Sequence, residues 1–177
     1  MVVDELTALA VAAAQGDTDA REVFVRESQA DVWRLCSHLG GRDLADDLTQ
    51  DTYARVLKSL PSFRAESSAR TWVLSIARRV CADHVRGLTR RRLLQVRIEN
   101  QRRPVFTADP SGRVDVHLLL ASLPAEQQDA FVLTQVLGLS YAESAEVCGC
   151  AIGTIRSRVA RAREALVVQL HQRAVDE

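Results

Sequence analysis

The stretch from Tyr141 to Arg163 constrains this chain more than any other. It runs Tyr-Ala-Glu-Ser-Ala-Glu-Val-Cys-Gly-Cys-Ala-Ile-Gly-Thr-Ile-Arg-Ser-Arg-Val-Ala-Arg-Ala-Arg. The pattern predicts a short amphipathic helix, a tight turn at Gly149 and a second helix studded with arginine, the sequence form of a helix-turn-helix. Ile152, Ile155, Val159, Ala162 and Leu166 recur at helical spacing and predict one apolar stripe. Ser157, Arg161 and Glu164 fall opposite that stripe. Arg156, Ala160 and Arg163 sit beside them, and Arg158 lies on the other flank. Arginine can bridge guanine or phosphate with two hydrogen bonds, and a small Ala160 allows close approach to a groove. A solvated basic helix at a domain end would carry the same arginines. It would not need the tight turn or the Ala142, Ala145, Val147 pattern before it.

The rest of the chain is consistent with an all-helical protein. Of its 177 residues 47% are hydrophobic, ample for a core, while aromatics reach only 5%. Strand formers do not cluster in alternating runs. No apolar run approaches the roughly 18 residues that span a bilayer. Asp4 and Glu5 stand where a signal peptide would be basic, so the expected compartment is the cytoplasm, with no direct membrane insertion. In that compartment Cys36, Cys81, Cys148 and Cys150 are expected as structural thiols rather than a disulfide framework. Cys148 with Cys150, or Cys81 with His84, would be the ligands of a zinc or redox site. The small residues suit a turn better, and no metal and no cofactor are expected.

Net charge is zero, yet the charges are segregated. Residues 1–60 hold 11 acids and 6 bases, and residues 61–103 hold 3 acids and 11 bases. Residues 104–150 hold 6 acids and 1 base, and residues 151–177 hold 3 acids and 5 bases. Two basic patches point to nucleic acid, and the acidic stretches between them to protein partners or solvated faces.

Helices are expected over 4–15, 19–39, 43–60, 70–88, 114–122, 124–137, 141–147 and 152–170. Gly16, the Gly40-Gly41 pair and Pro61 mark ends. Phe24, Val32, Leu35, Cys36 and Leu39 are expected inward. So are Leu44, Leu48, Val56, Leu57 and Leu60, and then Trp72, Val73, Ile76, Val80 and Val85. Thr89–Arg113 changes character, with Arg90-Arg91-Arg92, Arg102-Arg103, Pro104 and Pro110. The layout is therefore two small helical domains, 1–90 and 114–177, joined by a basic linker at 91–113.

Two further constellations stand out. Asp43, Asp46, Asp47 and Gln50 share a helix face away from Leu44 and Leu48. That face suits docking of a basic partner, and equally a plain solvated surface. Phe63–Arg92 combines aromatics, a small polar loop and many arginines, the mix that captures single-stranded bases by stacking and phosphate contact. Helical spacing with Ile76 favours Trp72 as core, leaving Phe63 the freer ring.

Three blocks stand in one order: Asp46-Asp47-Leu48-Thr49-Gln50-Asp51-Thr52-Tyr53, then Phe63-Arg64-Ala65-Glu66-Ser67-Ser68-Ala69-Arg70-Thr71-Trp72-Val73-Leu74-Ser75-Ile76-Ala77-Arg78, then Gly138–Glu143 with Gly153-Thr154-Ile155-Arg156-Ser157-Arg158. Together, over about residues 20–168, they closely resemble the group IV, extracytoplasmic-function sigma factors of bacterial RNA polymerase. The resemblance implies a sigma region 2 bundle at 1–90 and a region 4 helix-turn-helix at 114–177. It implies that Asp46, Asp47, Gln50 and Asp51 dock on the β′ clamp helices of core polymerase, with a second contact to the β flap. Phe63, Arg64, Ser67 and Ser68 would receive a flipped −10 base, flanked by Arg70, Arg78, Arg79 and Arg86. Thr154, Arg156, Ser157, Ala160, Arg161 and Arg163 would read the −35 element. Promoter DNA and an anti-sigma factor are the implied partners, and no catalytic residue is implied. The chain departs from many relatives at Arg79, where Asn is common, at Gln128, where Arg is common, and at Tyr53 in place of Phe.

Promoter opening breaks stacking worth about 1.4 kcal/mol per step. A few side chains cannot recover that, so the chain is expected to melt DNA only on polymerase. Two rivals remain at this stage. A stand-alone helix-turn-helix repressor or activator would bind a palindromic operator without polymerase. A thiol enzyme or redox sensor would use Cys81, His84, Cys148 and Cys150. Neither accounts for the acidic block and the Phe63–Trp72 block together.

Overall fold

The computed structural model describes residues 4–96 and 116–176. Its described residues form eight α-helices with short 3-10 and π turns and no strand: α1 Glu5–Ala14, α2 Thr18–Gly40, α3 Ala45–Ser59, α4 Ala69–Val96, α5 Val116–Ala121, α6 Ala125–Phe131, α7 Tyr141–Cys148 and α8 Ile152–Asp176. Helix starts follow side-chain capping. Asp4 Oδ1 accepts from Thr7 N at 2.9 Å, and Asp17 Oδ1 from Ala20 N at 2.9 Å. Ser140 and Glu143 close a reciprocal capping box on α7, with bonds of 3.1 and 2.8 Å. The Thr7 hydroxyl reaches across from α1 to accept from Ala69 N at 2.8 Å, satisfying one of the free amides that begin α4.

α1 to α4 form an N-terminal bundle around Phe24, Val32, Leu35, Val56, Val73 and Leu74, all at most 1% exposed. α5 to α8 form a second unit around Ala130, Ile155 and Val159. The two units do not stand apart. Leu120, Leu123, Val132, Leu133, Leu137 and Leu139 join one continuous apolar core with the N-terminal bundle, and α4 packs against α7. A π turn at Val132–Val136 ends α6, with Leu137 N bonded to Val132 O at 3.0 Å.

The structure differs from the sequence expectations at several positions. α4 runs unbroken past residue 90 to Val96, since nothing in Thr89–Gln95 is a helix breaker; the remainder of the expected linker, 97–113, lies outside the described residues. Leu57 and Val85 are 42% and 43% exposed, not buried. At about 100° per residue Leu57 falls well round α3 from the Leu48–Val56–Leu60 stripe, and Val85 has drifted off the Val73–Val80 face. Ile152 is 44% exposed because it opens α8, where no preceding turn covers it.

Truncating Phe24 to Ala should lower the unfolding free energy by about 3–5 kcal/mol, because a fully enclosed ring leaves a cavity. Urea denaturation of the full chain checks this.

Candidate nucleic-acid and polymerase interface

The helix-turn-helix forms as its sequence suggests. Gly149 ends α7 at φ 63°, the left-handed region that other residues enter at a cost. α8 buries Ile155, Val159 and Ala162, each at most 1% exposed. Arg156, Ala160, Arg161 and Arg163 are exposed on its outer side, with Thr154 and Ser157 half-buried at the edge. Ser157 Oγ turns back to Thr154 O at 2.9 Å, and Arg163 Nη2 donates to Gln135 Oε1 at 2.7 Å. Arg158, on the other flank, does not reach outward. It pairs with Glu126 of α6 and approaches Cys150 Sγ at 3.6 Å, bracing the recognition helix against the helix behind it.

The second region is the loop before α4. Phe63 and Trp72 lie with ring centroids 4.8 Å apart and planes tilted by 43°. With Ser62, Arg64, Glu66 and Ser67 they line an open cavity of about 340 Å³. Both rings are half-buried, so Trp72 is a cavity wall as well as a core residue. Ala65 sits inside this loop at φ 54°, the sole non-glycine residue with positive φ among those described. Ser68 is spent on structure: its Oγ accepts from Thr71 N at 3.1 Å at the start of α4.

The arginines of α4 divide into two groups. Arg79 and Arg86 are exposed; Arg79 folds back on Ser75, and Arg86 pairs with Asp83 at 2.6 Å. Arg70 and Arg78 turn instead toward the C-terminal unit. Arg70 pairs with Asp31 at 2.7 Å and donates through Nη2 to Leu137 O at 2.8 Å. Arg78 Nε meets Asp129 Oδ2 at 2.6 Å in a largely covered pair. Burial works against the Arg78 charge, and the Asp129 carboxylate outweighs it, so the guanidinium is held above its usual range. Gln128 Nε2 donates to His38 O at 2.6 Å, and the His38 and His117 rings stack at 4.5 Å with planes 16° apart. Asp31, Asp129, Gln128 and the two histidines thus form a polar seam beside the shared core. Sequence reasoning missed it, since no local spacing links residues 39 to 90 positions apart.

The acidic face lies on the opposite side of the bundle's sequence logic. Asp43, Asp46, Asp47, Gln50 and Asp51 are all exposed, and Leu48, Thr52 and Val56 face inward. The thiols are not arranged for ligation. Cys36 and Cys81 are buried together, and the bond to Cys36 together with burial pushes the Cys81 thiol up; burial raises Cys148 to about 12. Among the described residues no group of three or more His, Cys, Asp or Glu could hold a metal ion. Among them, too, no helix is long and apolar enough to cross a membrane. The Tyr53 hydroxyl, absent from a Phe, bonds Ser28 Oγ at 2.7 Å.

An exposed arginine face on a helix-turn-helix, beside a loop cavity walled by aromatics, defines an all-helical protein of the DNA-binding class. The comparisons narrow the class. Sigma-70 region 2 matches residues 24–91, and Sigma-70 region 4 matches residues 113–166. The ECF RNA polymerase sigma factor SigC of Mycobacterium tuberculosis is 47% identical over 171 residues, covering 93% of this chain and 90% of its own length. ECF sigma factor EcfG of Rhodopseudomonas palustris is 34% identical over 137 residues, covering 75% and 74%. The sigma factor RpoE from Bartonella quintana, solved in complex with the anti-sigma factor NepR, superposes with a TM-score of 0.71 at 28% identity, covering 87% of this chain and 98% of its own. CnrH, solved with the cytosolic domain of CnrY, shares the fold with a TM-score of 0.74 at 24% identity, covering 96% and 99%. The chain belongs to the extracytoplasmic-function sigma factors of RNA polymerase. It is an alternative-sigma initiation factor, which sets aside the stand-alone repressor or activator reading.

Two predictions follow from this geometry. Gly149→Ala should destabilise the helix-turn-helix by about 1–2 kcal/mol through its left-handed backbone, read as a lower melting temperature with weakened DNA binding. The second concerns the seam. Burial, then the neighbouring His117 ring and the Arg42 charge, push His38 below its ordinary 6.5. The closed seam therefore prefers neutral His38. Its contribution is complete above about pH 6.5 and is lost as pH falls through the depressed value. A fluorescent pair spanning the two units should report loosening below about pH 6.5, and His38→Gln should flatten that pH dependence.

Proposed function

We propose that Asp46, Asp47, Gln50 and Asp51 dock this sigma factor on the β′ clamp helices of core polymerase, while the C-terminal unit contacts the β flap. Thr154, Arg156, Ser157, Ala160, Arg161 and Arg163 then read the −35 element in the major groove. Phe63, Arg64, Ser67 and Ser68 receive an extruded −10 base, with Arg70, Arg78, Arg79 and Arg86 along the adjacent strand. Domain limits of 1–90 and 114–177, joined by a linker at 91–113, belong to the same reading. The chain performs no catalysis of its own and works in the cytoplasm without entering a membrane. The observation that carries this is α8. One side buries Ile155, Val159 and Ala162, and the other offers Arg156, Ala160 and Arg161 uncovered.

The seam gives the free protein a closed form. Arg70 and Arg78 hold Leu137 O and Asp129 there, so they cannot serve DNA until the units part. Core polymerase supplies two docking surfaces that favour the parted form. Two individually weak DNA contacts then act as one through effective concentration. An anti-sigma factor that embraces both units would hold the closed form; RpoE of Bartonella quintana is solved in complex with the anti-sigma factor NepR.

Transcription with purified chain and core polymerase on a genomic promoter library, read at the 5′ ends, tests the function. Discrete starts sharing a −35/−10 pair are expected, with about five- to 150-fold loss on Arg161→Ala or Asp47→Ala, from a lost base or docking contact of about 1–3 kcal/mol. Core-independent operator binding with no initiation would overturn it. Asp129→Asn, which frees Arg78, should raise binding of the isolated chain to a single-stranded −10 oligonucleotide; gel shift checks this.

A further inference from the structure

Asp46 differs from the aspartates that arginines hold. Asp31 is held by Arg70 and Arg34, Asp83 by Arg55 and Arg86, and Asp129 by Arg78, so each has its charge compensated by a guanidinium. Asp46 is held by a neutral group instead. Trp33 Nε1 of α2 donates to Asp46 Oδ1 on α3 at 2.8 Å. No described basic side chain forms an ion pair with it. An indole N–H donates only, carries no charge and sits on a rigid, two-torsion side chain. It restricts the carboxylate without neutralising it. Asp46 and Asp47 stand in the first turn of α3. Packing makes the contact possible: a Cβ at Gly40 would run into the Leu48 side chain, so glycine there lets α3 sit against the end of α2.

We infer that Trp33 is a positioning residue for polymerase docking: its indole N–H pre-orients the Asp46 carboxylate, at full charge, for a basic group on the partner. This deepens the proposed function and rests on its reading of the acidic face. Fixing the side chain beforehand removes ordering that the complex would otherwise require, worth about three- to tenfold in affinity.

The test is a double-mutant cycle on the full-length chain binding core RNA polymerase, with Trp33→Phe, Asp46→Ala and the double variant. Trp33→Phe keeps an aromatic ring and removes the donor. Affinity should fall about three- to tenfold in Trp33→Phe and should not fall further when Asp46 is already Ala. Site-specific replacement of Trp33 by its sulfur isostere 3-benzothienylalanine, which preserves shape and lacks the N–H, should match Trp33→Phe and covers the case in which Phe disturbs the fold. Unchanged affinity in both replacements would overturn the inference. Equal losses with and without Asp46 would overturn it too, since Trp33 would then act on its own. Were Asp46→Ala and Asp47→Ala both silent, the docking reading of the acidic face would fail first and take the positioning role with it.

Discussion

A guanidinium covered against a carboxylate is turned away from phosphates in solvent, and the closed form of this protein turns on that covering. Arg78 meets Asp129 at 2.6 Å, and Arg70 bridges Asp31 and the Leu137 carbonyl. These contacts join two helical units that also share an apolar core through Leu123, Val132, Leu133 and Leu137. A covered ion pair adds little net stability, because desolvation offsets most of the Coulomb gain. What it provides is register: the units fit only where both arginines find their partners. Opening into water returns solvation to both partners at once, so it costs far less than deleting one of them.

That balance suits an initiation factor. A free chain of zero net charge has little general affinity for duplex. In the proposed function its DNA-reading groups are divided between two units, and Arg70 and Arg78 of the proposed −10 set are occupied in the seam. Shifting such an equilibrium from about 1:99 to 99:1 requires roughly 5.5 kcal/mol of differential binding. A polymerase that engages the acidic face of one unit and a surface of the other can supply it.

Local features of the fold were legible in the sequence because they obey local rules. Ile155, Val159 and Ala162 repeat at helical spacing and are buried, and Gly149 marks a left-handed turn. The acidic face was legible in the same way, as Asp46, Asp47 and Gln50 avoid the Leu48 side of α3. The seam was not. Arg78 and Asp129 are separated by 51 positions, and His38 and His117 lie in different units; no periodicity links them. Trp33 was invisible for a related reason, since one aromatic on a long amphipathic helix reads as core until its indole is seen to meet Asp46. The limits of helical patterning also show at Leu57 and Val85, where apolar residues drift off the packed face of a long helix and remain exposed.

The central claim is that the same arginines close the free chain and are released on polymerase. The most direct measurement is the distance between spin labels on α3 and α8, taken by pulsed dipolar spectroscopy in the free chain and in the complex with core polymerase. The account predicts one short, narrow distance distribution in the free chain, replaced by a longer one when core is bound. A distribution unchanged by core, or one already long and broad in the free chain, would contradict it.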